Sequence, residues 1–255
     1  MALLEINGLT QRFSGLQALT NFSFSLEERE LVGLIGPNGA GKTTAFNVVS
    51  GFYVPTEGTI VFDGTPIMGL RPHQVAGLGI ARTFQNIRLW NDMPVLDNIR
   101  IAQSHWLGYG FWGAVWRSAR YRNSEAAVEK KSREVIEMMG LNDVADELPK
   151  NLPYGLQRRV ELARALSTSP KLLLLDEPAA GLNSADVDGL IKHIRWIHDS
   201  FPIAIWMIEH QMKVVMALCR RLCVIDFGRS IADGLPAEVQ ANPDVIKAYL
   251  GDDTL

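Results

Sequence analysis

The sequence predicts an α/β fold: a mainly parallel sheet, an antiparallel β portion near the N-terminus and an inserted helical segment. Three observations carry this. Short apolar strands alternate with helix-type stretches after Pro149, the pattern of strands covered on both faces. Between Pro94 and about Leu148 strand-like runs nearly disappear. A glycine-rich turn, Gly36 to Thr43, joins a buried strand to a helix beginning near Lys42.

In chain order, Leu3 to Ile6, Phe22 to Leu26, Leu31 to Ile35 and Thr59 to Phe62 read as β-runs separated by Gly-rich turns. The Ala/Glu/Lys/Met-rich segment Ser124 to Met139 reads as helix. A helix is expected from Leu156 to Leu166, then a strand from Lys171 to Leu175. The next helix begins near Ser184, with Asn183 as its cap and Asp186 and Asp188 in its first turn, where the helix dipole favours anions. Strand Ile203 to Ile208, a helix after His210 and strand Leu222 to Ile225 complete the pattern. The chain is therefore expected to form a single domain, with a core at about 1–93 and 150–255 and a helical subdomain at about 94–149.

Composition narrows the class. With 47% apolar and 21% charged residues, a chain of 255 can bury a substantial core, which excludes intrinsic disorder. A net charge of −3 argues against a nucleic-acid partner. Apolar runs such as Ile203 to Ile208 are far too short to span a bilayer. Glu5 falls where a secretory leader needs apolar residues, so no leader is expected. Cys219 and Cys223 lack metal-knuckle spacing and read as small buried residues. A cytoplasmic protein is expected.

Gly36, Pro37, Asn38, Gly39, Ala40, Gly41, Lys42 and Thr43 match G-x-x-x-x-G-K-[ST], with Thr44 following in the helix. Glycines let backbone N–H groups converge on phosphate oxygens, and the helix behind points its positive end at the same anion. Lys42 reaches the β- and γ-phosphates of a nucleotide, and the Thr43 hydroxyl coordinates Mg²⁺. Leu172 to Leu175 then lead into Asp176 and Glu177, two acids at the carboxyl edge of the sheet. Asp176 is placed for the Mg²⁺ shell and Glu177 for polarising the attacking water.

In these residues the chain resembles the ATP-binding-cassette (ABC) ATPases along nearly its whole length. The resemblance implies a RecA-like core with an inserted helical subdomain, hydrolysis of ATP to ADP and phosphate, and ATP and Mg²⁺ as ligands. Phe13, in Gln11-Arg12-Phe13-Ser14-Gly15, resembles the aromatic that stacks on adenine; the alternative is a core aromatic at a β-edge. Gln85, in Arg82-Thr83-Phe84-Gln85-Asn86, resembles the glutamine that touches Mg²⁺ and the attacking water. His210 resembles the histidine that contacts the γ-phosphate, while His73, His105, His193 and His198 read as surface or packing residues. Leu152, Pro153, Tyr154, Gly155 and Leu156 occupy the place of the signature motif that meets the partner's nucleotide, although they depart from its usual LSGGQ. Ala180 to Asn183 resemble the D-loop, with Asn183 where Asp is usual.

Arg82 to Leu89, Pro178 to Asn183 and the tail Asn242 to Gly251 are similar to the larger ATP-binding subunit of branched-chain amino acid importers. That implies a second, non-identical ABC ATPase, two membrane permeases and an extracytoplasmic solute-binding protein, with this chain peripheral on the cytoplasmic face of the inner membrane. The same style of tail occurs in the lipopolysaccharide-export ATPase, which stands as the alternative. A non-transport ABC protein is the other. Only about 70 residues separate Gln85 from the signature, which leaves no room for the long coiled coil of a DNA-repair cassette. Around Trp106, Tyr109, Phe111, Trp112 and Trp116, followed by Arg117, Arg120 and Arg122, aromatics and bases interleave. This stretch reads as a permease-docking surface beside the bilayer or as packing within the helical subdomain. Pro153 replaces the usual signature serine, so the resemblance implies either two unequal ATP sites in a heterodimer or two equal ones served by Gly155 and the helix end.

Overall fold

The computed structural model describes residues 2–104 and 109–250. His105, Trp106 and Gly251, singled out above, lie outside the described residues. The chain divides into two compact units, one running to Gln85 and resuming at Lys171, the other spanning Asn86–Pro170.

The first unit starts with a long hairpin. Strands β1 (Ala2–Phe13) and β2 (Leu16–Glu27) pair antiparallel, with Phe13 opposite Leu16 across the two-residue turn Ser14-Gly15. Both turn residues have positive φ, 42° and 101°, as a tight hairpin turn matching strand twist requires. Alternate residues Leu4, Ile6, Phe22, Phe24 and Leu26 face the core. Strands β4 (Glu57–Phe62) and β5 (Thr65–Pro66) extend this sheet antiparallel, in the order β2-β1-β4-β5.

A second sheet contains β3 (Leu31–Ile35), β6 (Ile80–Arg82), β7 (Leu172–Asp176), β8 (Ala204–Ile208), β9 (Arg221–Asp226) and β10 (Arg229–Gly234). Its order is β10-β9-β3-β8-β7-β6; only β10 is antiparallel to its neighbour. Every residue of β3, β7 and β8 is buried, hence their almost wholly apolar composition, broken by Asp176 at the end of β7. The chain leaves β3 for the far edge and returns through β7 and β8 before crossing to β9. β3 thus lies at a topological switch point, where open α/β sheets bind ligands.

Among the described residues six helices belong to this unit: α1 (Lys42–Val49), α2 (Pro72–Gly77), α7 (Ser184–Ser200), α8 (Met212–Leu218), α9 (Pro236–Ala241) and α10 (Pro243–Leu250). Trp206 of β8 joins the two sheets and α1: its ring stacks 4.5 Å from Phe24 and lies 4.8 Å from Phe46. Asn183 caps α7 as expected, its side chain accepting from the Asp186 N–H at 2.9 Å. Asp188 falls beyond the first turn and pairs instead with Lys213 at 2.6 Å. Cys219 and Cys223 are buried free thiols whose pKa burial pushes up to about 12, which keeps them protonated and unreactive.

The second unit contains α3 (Val95–Ala102), α4 (Phe111–Val115), α5 (Ala119–Met138) and α6 (Tyr154–Ser167). Two of its buried amides are engaged. Asn98 donates to the carbonyls of Trp90, Met93 and Pro94, and Gln103 donates to Ser132 at 2.8 Å. Trp112 and Trp116 are 70% and 79% exposed. Among the described residues no helix is long and apolar enough to cross a membrane.

Candidate functional site

The glycine-rich loop hangs between β3 and α1 in a conformation open only to glycine at its turning points. Gly36, Gly39 and Gly41 have φ of 149°, 80° and 107°. The loop is locked from outside by the β9–β10 turn, where the Gly228 N–H donates to the Ala40 carbonyl at 2.8 Å. Lys42 folds back over its own loop, its ammonium donating to the carbonyls of Gly36 and Pro37 at 2.6 and 2.7 Å. Burial pushes its pKa down and the Glu177 carboxylate partly offsets this. A cation thus sits against the glycine-rich loop at the N-terminal end of α1, an arrangement that receives an anion.

The loop borders a cleft of about 1030 Å³. Its walls include Phe13 and Leu16 from the hairpin end, Thr43 and Thr44 of α1, and Glu177 and His210. Phe13 is 37% exposed, lines the cleft and meets Tyr53 edge-to-face at 5.1 Å, so it is a rim residue rather than a core aromatic. From Pro37 to Thr44 each residue lines the same space, and Gly36 starts the loop from the end of β3.

Glu177 follows β7 with φ of 47°, a costly value for a side chain of this size. Its carboxylate is bridged. Gln85 Nε2 donates to Oε2 at 2.5 Å, and His210 Nε2 lies 2.7 Å from Oε1. The three residues assigned a catalytic part from sequence therefore form one connected group. Asp176 has a different partner: its Oδ2 accepts from Arg82 Nη2 at 2.7 Å.

Two residues at this site escaped the sequence reading. Arg82 is one. The other is Glu209, a buried carboxylate that accepts from the N–H groups of His210, Gln211 and Ala179 at 2.8, 3.0 and 3.1 Å. It pins the loop carrying His210 to the loop after Glu177. The available signal was an acid directly after the apolar run Ala204–Ile208, the same pattern that exposed Asp176.

The signature-like residues belong to the helical unit. Leu152 is buried, Pro153 precedes α6 with φ of −53°, and the helix starts at Tyr154, two residues earlier than expected. The Tyr154 hydroxyl accepts from Arg158 Nη2 at 3.1 Å, and Arg158 pairs with Glu161 at 3.0 Å within the unit. Leu156 N–H bonds to the Pro153 carbonyl at 3.0 Å, while Tyr154 and Gly155 stand at the start of the helix, where among the described residues no preceding carbonyl serves their N–H groups.

Comparison with known proteins agrees with this geometry. The family described as "ABC transporter" matches residues 19–180, and "Branched-chain amino acid ATP-binding cassette transporter" matches residues 229–254. The chain belongs to the ABC transporter family, as an ATP-binding cassette with ATPase activity coupled to transport. It is 43% identical over 250 residues to the high-affinity branched-chain amino acid transport ATP-binding protein BraF of Pseudomonas aeruginosa, covering 98% of each chain. To the corresponding protein LivG of Salmonella typhimurium it is 44% identical over 253 residues, again covering 98% of each. A nucleotide-free ATP-binding cassette from an ABC transporter superposes with a TM-score of 0.85 at 29% identity, covering 99% of this chain and 100% of that one.

Replacing Lys42 by Ala removes the buried ammonium and is expected to weaken ATP binding about ten- to a hundredfold, as expected for loss of a charged hydrogen-bond partner. Titration with a fluorescent ATP analogue measures this; an unchanged affinity would show that the ammonium does not hold phosphate.

Proposed function

We propose that this chain is the ATP-hydrolysing subunit of an ABC importer for branched-chain or related amino acids. The carrying observation is Glu177, strained at the mouth of the phosphate-loop cleft and held between His210 and Gln85. ATP enters as its Mg²⁺ complex. The loop amides from Gly36 to Thr44 and the Lys42 ammonium hold its phosphates, and Phe13 offers a ring to the adenine. Thr43, Gln85 and Asp176 would hold that Mg²⁺ through hydroxyl, amide and carboxylate oxygens, the donors a hard cation takes. Glu177 takes a proton from the attacking water, and His210 orients Glu177 and meets the γ-phosphate.

A second ABC ATPase faces this one head to tail, so the N-terminal end of α6 at Leu152 to Leu156 serves the partner's nucleotide. The missing serine hydroxyl at Pro153 makes that site the weaker of the two. ATP bridges the closed dimer and hydrolysis releases it, a population shift transmitted to two permeases. The chain works on the cytoplasmic face of the inner membrane, with a RecA-like core and a helical subdomain over about 94–149, which falls inside the wider compact unit Asn86–Pro170. The exposed Trp112 and Trp116 dock against a permease beside the bilayer. The solute-binding protein acts through the permeases.

The test is reconstitution with the permeases and second ATPase of the same operon in liposomes. The expected result is ATP-dependent uptake of leucine, isoleucine or valine, stimulated by the loaded binding protein. ATP hydrolysis stimulated by lipopolysaccharide, with no uptake of amino acids, would favour the export reading instead.

A further inference from the structure

Arg82 ends β6, three residues before Gln85, and its guanidinium joins Asp176 of β7 to the end of α1. Nη2 donates to Asp176 Oδ2 at 2.7 Å, and the two side chains are 7% and 5% exposed. Nη1 donates to Asn47 Oδ1 at 2.8 Å and to Ser50 Oγ at 3.2 Å, at the end of the phosphate-loop helix. The rings of Phe46, Phe52 and Phe84 enclose the group at 5.6, 5.8 and 5.0 Å.

Stability alone gives little reason for such a group. A buried ion pair loses much of its Coulomb gain to desolvation, and well-packed apolar residues of similar volume stabilise as well or better. A planar fork fixed on two sides does something apolar packing cannot: it sets the direction of a carboxylate. Arg82 holds Oδ2 of Asp176, and the bonds to α1 restrain the guanidinium from swinging away.

We propose that Arg82 is a positioning residue that orients Asp176, so that the carboxylate meets the cation of the incoming Mg–nucleotide complex without rearranging. The proposal rests on the function proposed above. Groups that orient metal ligands from behind typically tune metal affinity by about ten- to a hundredfold.

The test uses the full-length protein with Mn²⁺ as an EPR-visible substitute for Mg²⁺. For Arg82→Lys, ATP affinity in EDTA should stay within about twofold of wild type, while Mn²⁺ affinity of the protein–ATP complex falls about tenfold. Asn47→Ala loosens the same guanidinium without touching Asp176 and should shift Mn²⁺ affinity the same way by a smaller factor. It decides the matter if circular dichroism shows Arg82→Lys to be unfolded. Wild-type Mn²⁺ affinity in the folded variants overturns the proposal. Equal loss of ATP affinity with and without metal also overturns it, because that is the mark of general distortion. A wild-type protein that binds neither ATP nor Mn²⁺ defeats the functional reading first, and this inference with it.

Discussion

Glu177→Gln is expected to leave ATP affinity within about twofold of wild type while lowering turnover by about 10²–10⁴-fold, the range for loss of a general base. The substitution keeps shape and removes basicity. An amide in place of the carboxylate still fills the space between His210 and Gln85, so the strained backbone at φ 47° keeps its surroundings. What disappears is the acceptor for the proton of the attacking water. Binding is set by the loop amides and by Lys42, whose ammonium is held by the carbonyls of Gly36 and Pro37; Glu177 reaches that ammonium through the field of its carboxylate, a small effect beside the bonds that hold it. A single-turnover assay with the second ATPase present, run beside a nucleotide titration, separates the two effects. Fast single-turnover hydrolysis by the variant would remove Glu177 as the base. A parallel loss of affinity would mean that the carboxylate organises the loop rather than the water.

The fold was largely readable because its central strands are buried on both faces. Leu31–Ile35, Leu172–Asp176 and Ala204–Ile208 carry almost no polar residues, and apolar runs bounded by turns mark such strands directly. The edges were less visible. Strand β6 has three residues, too few for any period, and β10 (Arg229–Gly234) is largely polar, so neither stood out. The phosphate loop and the Asp176-Glu177 pair announced themselves through residue type at fixed spacing. Arg82 and Glu209 did not, because each acts through a partner distant in sequence. Arg82 meets Asp176 94 positions away, and Glu209 meets the Ala179 N–H 30 positions away. A single sequence carries no record of such pairings; only the parallel register of β6 on β7 and β7 on β8 brings them together.

The largest effect on the folded state is expected at Gly36. A Cβ built there would lie 2.0 Å from the carbonyl oxygen of Ile225 and 3.1 Å from its carbonyl carbon. The obstruction is backbone, not the end of a flexible side chain. It belongs to β9, which pairs with β3 through Ile35 and Val224, immediately beside the clash. Relief therefore requires either parting two central strands or moving the loop. The φ of 149° adds strain that no L-side chain escapes. Together these predict that Gly36→Ala costs about 3 kcal/mol or more, a fall in Tm of roughly 6–12 °C for a chain of this size. Because the loop is the easier part to move, ATP binding should be lost as well. Gly64→Ala supplies the comparison: its φ is 71°, and a Cβ there meets nothing within 4 Å. It bears the conformational penalty alone, about 1 kcal/mol, and should lower Tm by roughly 2–4 °C with ATP affinity intact. Thermal unfolding with and without ATP measures both quantities in one series. Equal Tm values for the two variants, or ligand-induced stabilisation surviving in Gly36→Ala, would mean that the backbone at Gly36 yields and that the close approach of β9 does not hold the phosphate loop in shape.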